Sequence, residues 1–246
     1  MKTHFNSKHP LFGRANNRLA IGYQQRSPYY WWWAFLRRNE EYLACCRAGG
    51  KGALAGLYAD FGDVLNDSFK DWWTTNERGA KLFGEKPLPL NVKELKSPDE
   101  WDASWAKSTV MVIAFPLTIS KRHLQTNFAR LLKDRHDGKR GKKISADSSL
   151  STAKYSLHRA VSIATLRIQL DVYDKVIAKQ RGELNKTLAE IGADMILAKK
   201  AMPVNGEHPH DAALKRNIMA STVSRHFKDA QRIIANTAIG QFPKSS

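Results

Sequence analysis

A run of basic and hydroxyl side chains near the end of the chain could contact a nucleic acid. It lies between Asp211 and Asn236, in a stretch that contains neither Gly nor Pro. Lys and Arg bind phosphates, and Arg, Ser and Thr also reach base edges in the major groove. The candidate binding residues are Lys215, Arg216, Ser221, Thr222, Ser224, Arg225, Lys228 and Arg232.

An apolar series in the same stretch predicts that one helix carries these side chains. The series recurs mostly at three- and four-residue steps, which is the period of a helix face. Its members are Leu214, Ile218, Phe227, Ala230 and Ile234. A shorter helix is predicted from Leu184 to Met195, and a short helix before a basic one is the order found in a helix-turn-helix. The alternative is an ordinary amphipathic helix on the surface of a basic protein.

A second basic cluster lies further upstream. Lys139, Arg140, Lys142 and Lys143 place four positive charges within five residues. Such a segment suits the phosphate backbone and carries no base preference of its own. The alternative interpretation is a solvated linker.

Carboxylates at regular spacing raise the possibility of a metal-dependent nuclease, because such enzymes hold Mg²⁺ with carboxylate oxygens. The aspartates follow at steps of three, four and four, which also places them along one exposed helix side, and we favour that interpretation. They are Asp60, Asp63, Asp67 and Asp71.

No pattern in the chain indicates catalysis. His208, His210 and His226 have no fourth ligand at the spacing of a zinc site. A Gly-rich phosphate loop, a nucleophile elbow and a His-Glu-x-x-His motif are all missing from the sequence. We therefore expect no catalytic residue, no metal site and no cofactor.

The overall charge indicates a polyanionic partner. The 246 residues carry 40 Lys and Arg against 23 Asp and Glu, a formal net charge of +17. This balance favours nucleic acid. The first expectation is double-stranded DNA. RNA or single-stranded DNA, an acidic protein partner, or a second copy of the chain are the alternatives.

The apolar residues and the cysteines of the chain indicate where in the cell we expect the protein. Apolar residues make up 42% of the chain, enough to bury a core. No apolar run approaches the roughly 20 residues that span a membrane, so no membrane association is expected. The adjacent Cys45 and Cys46 cannot form a disulfide framework and are predicted to be small buried residues on a helix. The expected location is the bacterial cytoplasm, in association with the nucleoid.

The predicted fold is mainly α, in two small helical parts, with at most one or two short strands near 109–115. Helices are predicted at 29–47, 53–61, 68–83, 120–136, 156–179, 184–195 and 211–236. The expected division is a basic arm (1–27), an aromatic-rich helical domain (28–137), a basic linker (138–150) and a helix-turn-helix-like DNA-binding domain (151–246).

The aromatic segment that opens the second part has two interpretations. Trp31, Trp32 and Trp33 cannot share one helix face, since neighbours point about 100° apart. Core packing against Trp72 and Trp73 is the interpretation we favour. Stacking on unpaired bases beside Arg37 and Arg38 is the alternative, and it would suit a single-strand or RNA-binding protein.

Each half of the chain contains sequence motifs of its own. The first half carries W-x-x-x-FLRRN-x-x-Y, from Trp31 to Tyr42. The second half carries L-R-x-x-L-x-x-Y-D from Leu166 to Asp174, L-x-E-I-G from Leu188 to Gly192, and a basic final helix with a tail ending near Pro243. With these motifs, both halves resemble a family of transcriptional-regulator-like proteins of bacterial integrative and conjugative elements. The resemblance implies DNA binding and control of transcription, replication or transfer of a mobile element. The chain departs from it in the long insertion between Met195 and Asp211.

Overall fold

The computed structural model is mainly helical over the residues that it describes, which confirms the predicted fold class. Those residues are 4–14, 17–66, 68–85, 95–100, 111–135, 151–158 and 162–245. The helices are α1 (Ile21–Gln24), α2 (Pro28–Leu36), α3 (Glu40–Arg47), α4 (Ala55–Phe61), α5 (Phe69–Thr74), α6 (Arg78–Phe83), α7 (Lys121–Arg135), α8 (Ile163–Gln180), α9 (Leu188–Asp194) and α10 (Pro209–Thr237). Single 3-10 turns lie at Thr75–Glu77, Pro98–Glu100 and Lys199–Ala201.

Strand structure is confined, among the described residues, to a small hairpin near the N-terminus. β1 (Gly13–Arg14) and β2 (Asn17–Arg18) pair antiparallel, with Gly13 opposite Arg18. The strand predicted near 109–115 does not form in its described part, where residues 111–116 are irregular. A β-branched composition favours extended backbone, but a strand also needs a hydrogen-bonding partner, and no described strand lies beside this segment.

The chain divides into two compact units in a way that differs from the expected domains. Residues 1–86 and 151–246 form one unit, and residues 87–150 form the other. The aromatic helices and the C-terminal helices therefore share a single core instead of forming separate domains. The physical reason is that α2 packs directly against α8 and α10.

Glu85 holds together the two points where the chain leaves and re-enters the larger unit. Its carboxylate accepts hydrogen bonds from the Ser151 hydroxyl (2.5 Å), the Thr152 amide (2.6 Å) and hydroxyl (2.8 Å), and the Ala153 amide (3.1 Å). Residues 87–150 thus have the connectivity of an insertion into the larger unit.

The aromatic segment forms two helices where one was predicted over 29–47. Arg37 ends α2, and Asn39 has extended backbone angles and starts α3 by accepting a hydrogen bond from the Tyr42 amide at 2.8 Å. A side chain that caps a new helix start satisfies an amide that would otherwise have no partner. The helix predicted over 68–83 is likewise divided, because Asn76 and Glu77 adopt positive φ between α5 and α6. Ser68, at the start of the predicted range, caps α5 by accepting a hydrogen bond from the Asp71 amide at 3.2 Å.

The core of the larger unit is built from aromatic rings. Trp32 is fully buried and stacks on Phe242 from the C-terminal tail, with ring centroids 5.2 Å apart. Tyr29 stacks on Phe83 at 4.6 Å. The Trp72 indole donates a hydrogen bond to the Phe61 carbonyl oxygen at 2.6 Å, so its polar edge is satisfied. Core packing of the tryptophans at 31–33 is therefore confirmed, since all three are buried.

The last three helices pack together on the other side of this core. Ser162 caps α8, so that helix starts later than the predicted Ser156. Thr187 and Glu190 form a capping box at the start of α9, in which each side chain binds the other residue's backbone amide. α9 and α10 are in contact, but residues 195–208 separate them, far more than the three or four residues of a helix-turn-helix turn.

The smaller unit contributes one long helix to the described residues. The Ser120 hydroxyl accepts a hydrogen bond from the His123 amide at 3.4 Å, as predicted for the start of α7. α7 ends at Arg135. Phe128 on this helix makes an edge contact with Phe115, at 5.8 Å between centroids.

Candidate nucleic-acid interface

The buried face of α10 orients the rest of the helix. Met219 and Val223 are buried and approach α9 where Gly192 has no side chain: a Cβ at Gly192 would lie 2.4 Å from Met219 Cγ and 3.0 Å from Val223 Cγ2. Further along, Ala230 and Ile234 enter the aromatic core. These contacts fix which side of α10 faces outward.

The opposite side of α10 carries a continuous polar and basic groove. We call the exposed surface from Asn217 to Arg232 the α10 stripe. With a rise of 1.5 Å per residue, it is roughly 22 Å long. It contains three Lys and Arg against one acidic residue, so its own net charge is positive. It is lined by Asn217, Ala220, Ser221, Ser224, Arg225, Lys228, Asp229 and Arg232.

Five of the predicted site residues meet on this stripe. They are Ser221, Ser224, Arg225, Lys228 and Arg232. The Ser224 hydroxyl donates to the Ala220 carbonyl oxygen at 2.9 Å, which leaves its lone pairs available as acceptors. Arg232 donates to the Ser245 carbonyl oxygen at 3.3 Å, and Asp229 lies 3.9 Å from it. Of the three cations on the stripe, Arg225 and Lys228 are therefore the ones less occupied by protein contacts.

Three predicted residues of α10 lie off the stripe. Lys215 forms an ion pair with Glu207 at 2.5 Å, with both side chains largely shielded from solvent. Arg216 is exposed but lies nine residues before Arg225, which places it half a turn away on the opposite side of the helix. Thr222 is turned about a quarter turn from the stripe, and its hydroxyl donates to the Ile218 carbonyl oxygen at 2.8 Å.

The remaining predicted site residues lie outside the described residues. These are Lys139, Arg140, Lys142 and Lys143 of the basic cluster.

The apolar series that predicted the helix is only partly buried. Ala230 and Ile234 are buried, whereas Leu214 is 49% exposed and Ile218 is 53% exposed. The inward positions in that part of α10 are instead Met219 and Val223. Leu214 and Ile218 lie instead on the exposed side of the helix.

Asn217 belongs to the stripe and was missed by the sequence interpretation. It precedes Ser221 by four residues and Ser224 by seven, the spacing of one helix face. The spacing is visible in the sequence, but the predicted binding residues included only cationic and hydroxyl side chains. An Asn side chain can donate to and accept from the adenine edge at once.

His226 is a titratable residue next to the stripe, and its surroundings change its pKa. Burial, reinforced by the neighbouring Arg225 cation, lowers the pKa of the His226 imidazole, and Asp229 opposes this in part. Its Nδ1 atom is buried and has no hydrogen-bond partner among the described residues. This environment favours the neutral form of the ring over the charged form.

The carboxylate series does not form one helix side. Asp60 lies on α4 and binds Lys154 and Tyr155, at 2.5 and 2.7 Å. Asp63 lies in the following loop and accepts the Leu65 amide, and Asp71 lies on α5 beside Ser68. Asp67 is outside the described residues. These contacts are structural contacts within the larger unit. Burial alone would raise the pKa of Asp60, but the hydrogen bonds from Lys154 and Tyr155 outweigh burial and lower it.

No group of three or more His, Cys, Asp or Glu side chains is placed to hold a metal ion within the described parts of the chain. His208 instead starts α10, where its Nδ1 accepts from the His210 amide at 3.3 Å. Cys45 and Cys46 are free and buried on α3, as predicted.

Over the same described residues, none of the helices has the length and apolar character needed to cross a membrane. No protein family matches the chain, and neither a curated protein nor a solved structure shows significant similarity to it.

Proposed function

We propose that this protein binds double-stranded DNA by placing the α10 stripe in the major groove. The observation that carries the proposal is the position of Ser221, Ser224, Arg225 and Lys228 on one exposed side of a long helix whose other side is fixed by α9 and the aromatic core. The major groove, about 12 Å wide, admits an α-helix in this way.

The side chains of the stripe divide into two tasks. Lys228 and Arg232 are suited to phosphates, which set the orientation and most of the affinity. Asn217, Ser221, Ser224 and Arg225 are suited to base edges, and Arg225 to guanine in particular. A chain with a net charge of +17 is attracted to a polyanion before any of these contacts form.

The wider role that we propose is control of transcription, replication or transfer of a bacterial mobile element. Its support is the resemblance of both halves of the chain to regulators of such elements. Among the residues of those motifs, Asn39 and Gly192 contact α10 directly, and Arg38 binds Asp174 of α8, which itself packs against α10. Under this proposal, the motifs maintain the scaffold and the stripe provides the DNA contacts.

Binding of RNA or single strands is the second candidate, and the burial of its stacking surface counts against it. Trp31, Trp32 and Trp33 are at most 5% exposed. Bases cannot stack on rings that are enclosed by Phe242, Phe69 and their neighbours.

The test is competition between nucleic acids over a range of salt. The full chain is titrated with random duplex DNA, single-stranded DNA and structured RNA at roughly 50 to 300 mM salt, where counterion release makes the slope measurable. Tightest binding to duplex DNA with a steep salt slope is expected. Preference for single strands or RNA contradicts the duplex assignment, and weak binding to all three contradicts nucleic-acid binding as a whole.

A further inference from the structure

The start of α10 carries an apolar patch that nothing in the described structure covers. We call it the 204–218 patch: Val204 is 60% exposed, Leu214 49% and Ile218 53%. Val204 and Leu214 line one shallow groove, and Ile218 follows Leu214 by one helical turn on the same side. Contiguous exposed apolar side chains of this kind mark interaction surfaces in soluble proteins.

The charges around the patch restrict which partner it can accept. The same groove contains Glu207 and Asp211 against Lys215, and the Lys215 cation is already paired with Glu207. The patch is therefore neutral to slightly acidic in a chain whose net charge is +17. Two copies of so basic a chain repel each other electrostatically across most of their surfaces. At this neutral to slightly acidic region, they can come into contact without that repulsion.

We infer that the 204–218 patch is the dimer interface of this protein and that its occupant is the same patch of a second copy. An interface with two-fold symmetry must be complementary to itself. Two antiparallel α10 helices satisfy this when Leu214 packs on the second copy's Ile218, because the reciprocal contact is then identical. The same register places Asp211 beside the second copy's Ser221, an acceptor facing a hydroxyl donor.

The arrangement leaves the α10 stripe of each copy accessible from Ser224 to Arg232, whereas Asn217 and Ser221 lie beside the second copy. In this register the two-fold axis passes near residue 216, nine residues from Arg225. At 1.5 Å per residue, the two copies of Arg225 are roughly 27 Å apart along the helices, and the two copies of Lys228 roughly 36 Å. One turn of DNA is about 34 Å, the usual separation of two half-sites.

The match between the dimer and two DNA half-sites rests on the proposed DNA binding, whereas dimerisation itself does not. Dimerisation is therefore measured first, without nucleic acid. Sedimentation of the full chain is followed from roughly 1 to 100 μM, the range in which a moderate homodimer assembles. The wild-type chain is expected to dimerise. The double variant Leu214→Glu/Ile218→Glu is expected to sediment as a monomer with unchanged helix content.

A matched control separates loss of the interface from the added charge. Ile21→Glu/Ile239→Glu adds the same two charges at apolar positions that are 59% and 64% exposed elsewhere on the larger unit. It should dimerise like the wild type. A wild-type chain that stays monomeric throughout, or a Leu214→Glu/Ile218→Glu variant that still dimerises, overturns the inference.

The stripe variant Arg225→Ala/Lys228→Ala distinguishes the two proposals. It should remain a dimer even where it no longer binds duplex DNA. A wild-type chain that dimerises but has no affinity for duplex DNA would contradict the proposed function and leave this interface standing. A wild-type chain that binds duplex DNA as a monomer would contradict the interface and leave the proposed function standing.

Discussion

Arg38 and Asp174, 136 residues apart in the chain, form a two-point ion pair between the end of α2 and the middle of α8. Arg38 Nε donates to Oδ1 at 3.1 Å and Nη2 donates to Oδ2 at 2.7 Å. Arg38 Nη1 also donates to the Ala34 carbonyl oxygen at 2.8 Å, which fixes the guanidinium on its own helix. Beside it, Asn39 Nδ2 donates to the Ile234 carbonyl oxygen of α10 at 3.2 Å. The two motifs of the family resemblance therefore meet in space.

The Arg38–Asp174 pair should contribute measurable coupling to stability. Both side chains are partly exposed, at 30% and 45%, so water screens the pair and the expected coupling is only about 1 kcal/mol. A double-mutant cycle of Arg38→Ala and Asp174→Ala, read by urea unfolding, measures it. Arg38→Lys keeps the charge but not the two-point geometry and should recover only part of the coupling. Strict additivity of the two single variants would contradict this role.

Gly192→Ala should destabilise the protein by about 1–3 kcal/mol, the usual cost of overpacking. The new Cβ would lie 2.4 Å from Met219 Cγ and 2.8 Å from its sulfur, and Met219 is itself buried. The measurement is the free energy of unfolding in urea. Gly56→Ala is the matched control, because its Cβ would meet no atom within 4 Å. That helical position should be neutral or gain up to about 1 kcal/mol. Equal effects at both sites would show that α9 does not approach α10 as described.

His226 should make folding less favourable in mild acid. Its pKa is lower in the folded chain, chiefly because of burial, so the unfolded chain binds more protons as the pH falls. The stability associated with the neutral ring is therefore present above its unfolded pKa of about 6.5 and is lost as the pH falls toward the lower folded pKa. Unfolding free energies measured in urea at about pH 7.5 and pH 5.5 bracket this range.

The comparison that isolates this effect is with His226→Gln, which should lose less stability over the same pH step. His158→Gln, at an exposed position, should behave like the wild type. An identical pH dependence in His226→Gln and the wild type would show that the ring does not titrate in this way.

Replacing residues 87–150 with a short Gly-Ser linker should leave the larger unit folded. Because Glu85 binds residues 151–153 directly, about four residues at up to 3.6 Å each suffice to rejoin the chain. The variant should unfold cooperatively in urea and keep its preference for duplex DNA. It also removes the basic cluster at 139–143, so its salt slope should be shallower. An aggregated or unfolded product would mean that residues 87–150 are needed for this core.

The helical elements could largely be predicted from the sequence, because their signals are local. The caps at Ser68, Ser120 and Thr187 and the period of α10 depend on neighbouring residues alone. The breaks inside 29–47 and 68–83 were missed because they depend on Asn39 bonding to α10 and on positive φ at Asn76. The Asn39 bond joins residues 195 positions apart in the chain, which no local pattern can show.

The same distinction explains the outcome for the candidate site. Periodicity identified the outward side chains from Ser221 to Arg232, since those positions are fixed by residues three and four apart. It could not show that Lys215 pairs with Glu207 or that Leu214 and Ile218 are exposed. The observed units differ from the predicted domains for a similar reason. The basic segment at 138–150 suggested a boundary, but the aromatic helices and the C-terminal helices pack into one core, which only contacts distant in the chain can show.

The α10 stripe is tested most directly by the salt dependence of duplex DNA binding in two variants of equal charge. Arg225→Ala/Lys228→Ala removes two cations from the stripe, and Arg47→Ala/Lys81→Ala removes two exposed cations from α3 and α6. Each lost phosphate contact lowers the slope of log K against log salt by about 0.9, so the loss of Lys228 should lower it by about that amount, while the loss of Arg225 should weaken binding through its base contact. The control variant should keep the wild-type slope. Equal slopes and affinities for the two variants would contradict DNA binding by α10.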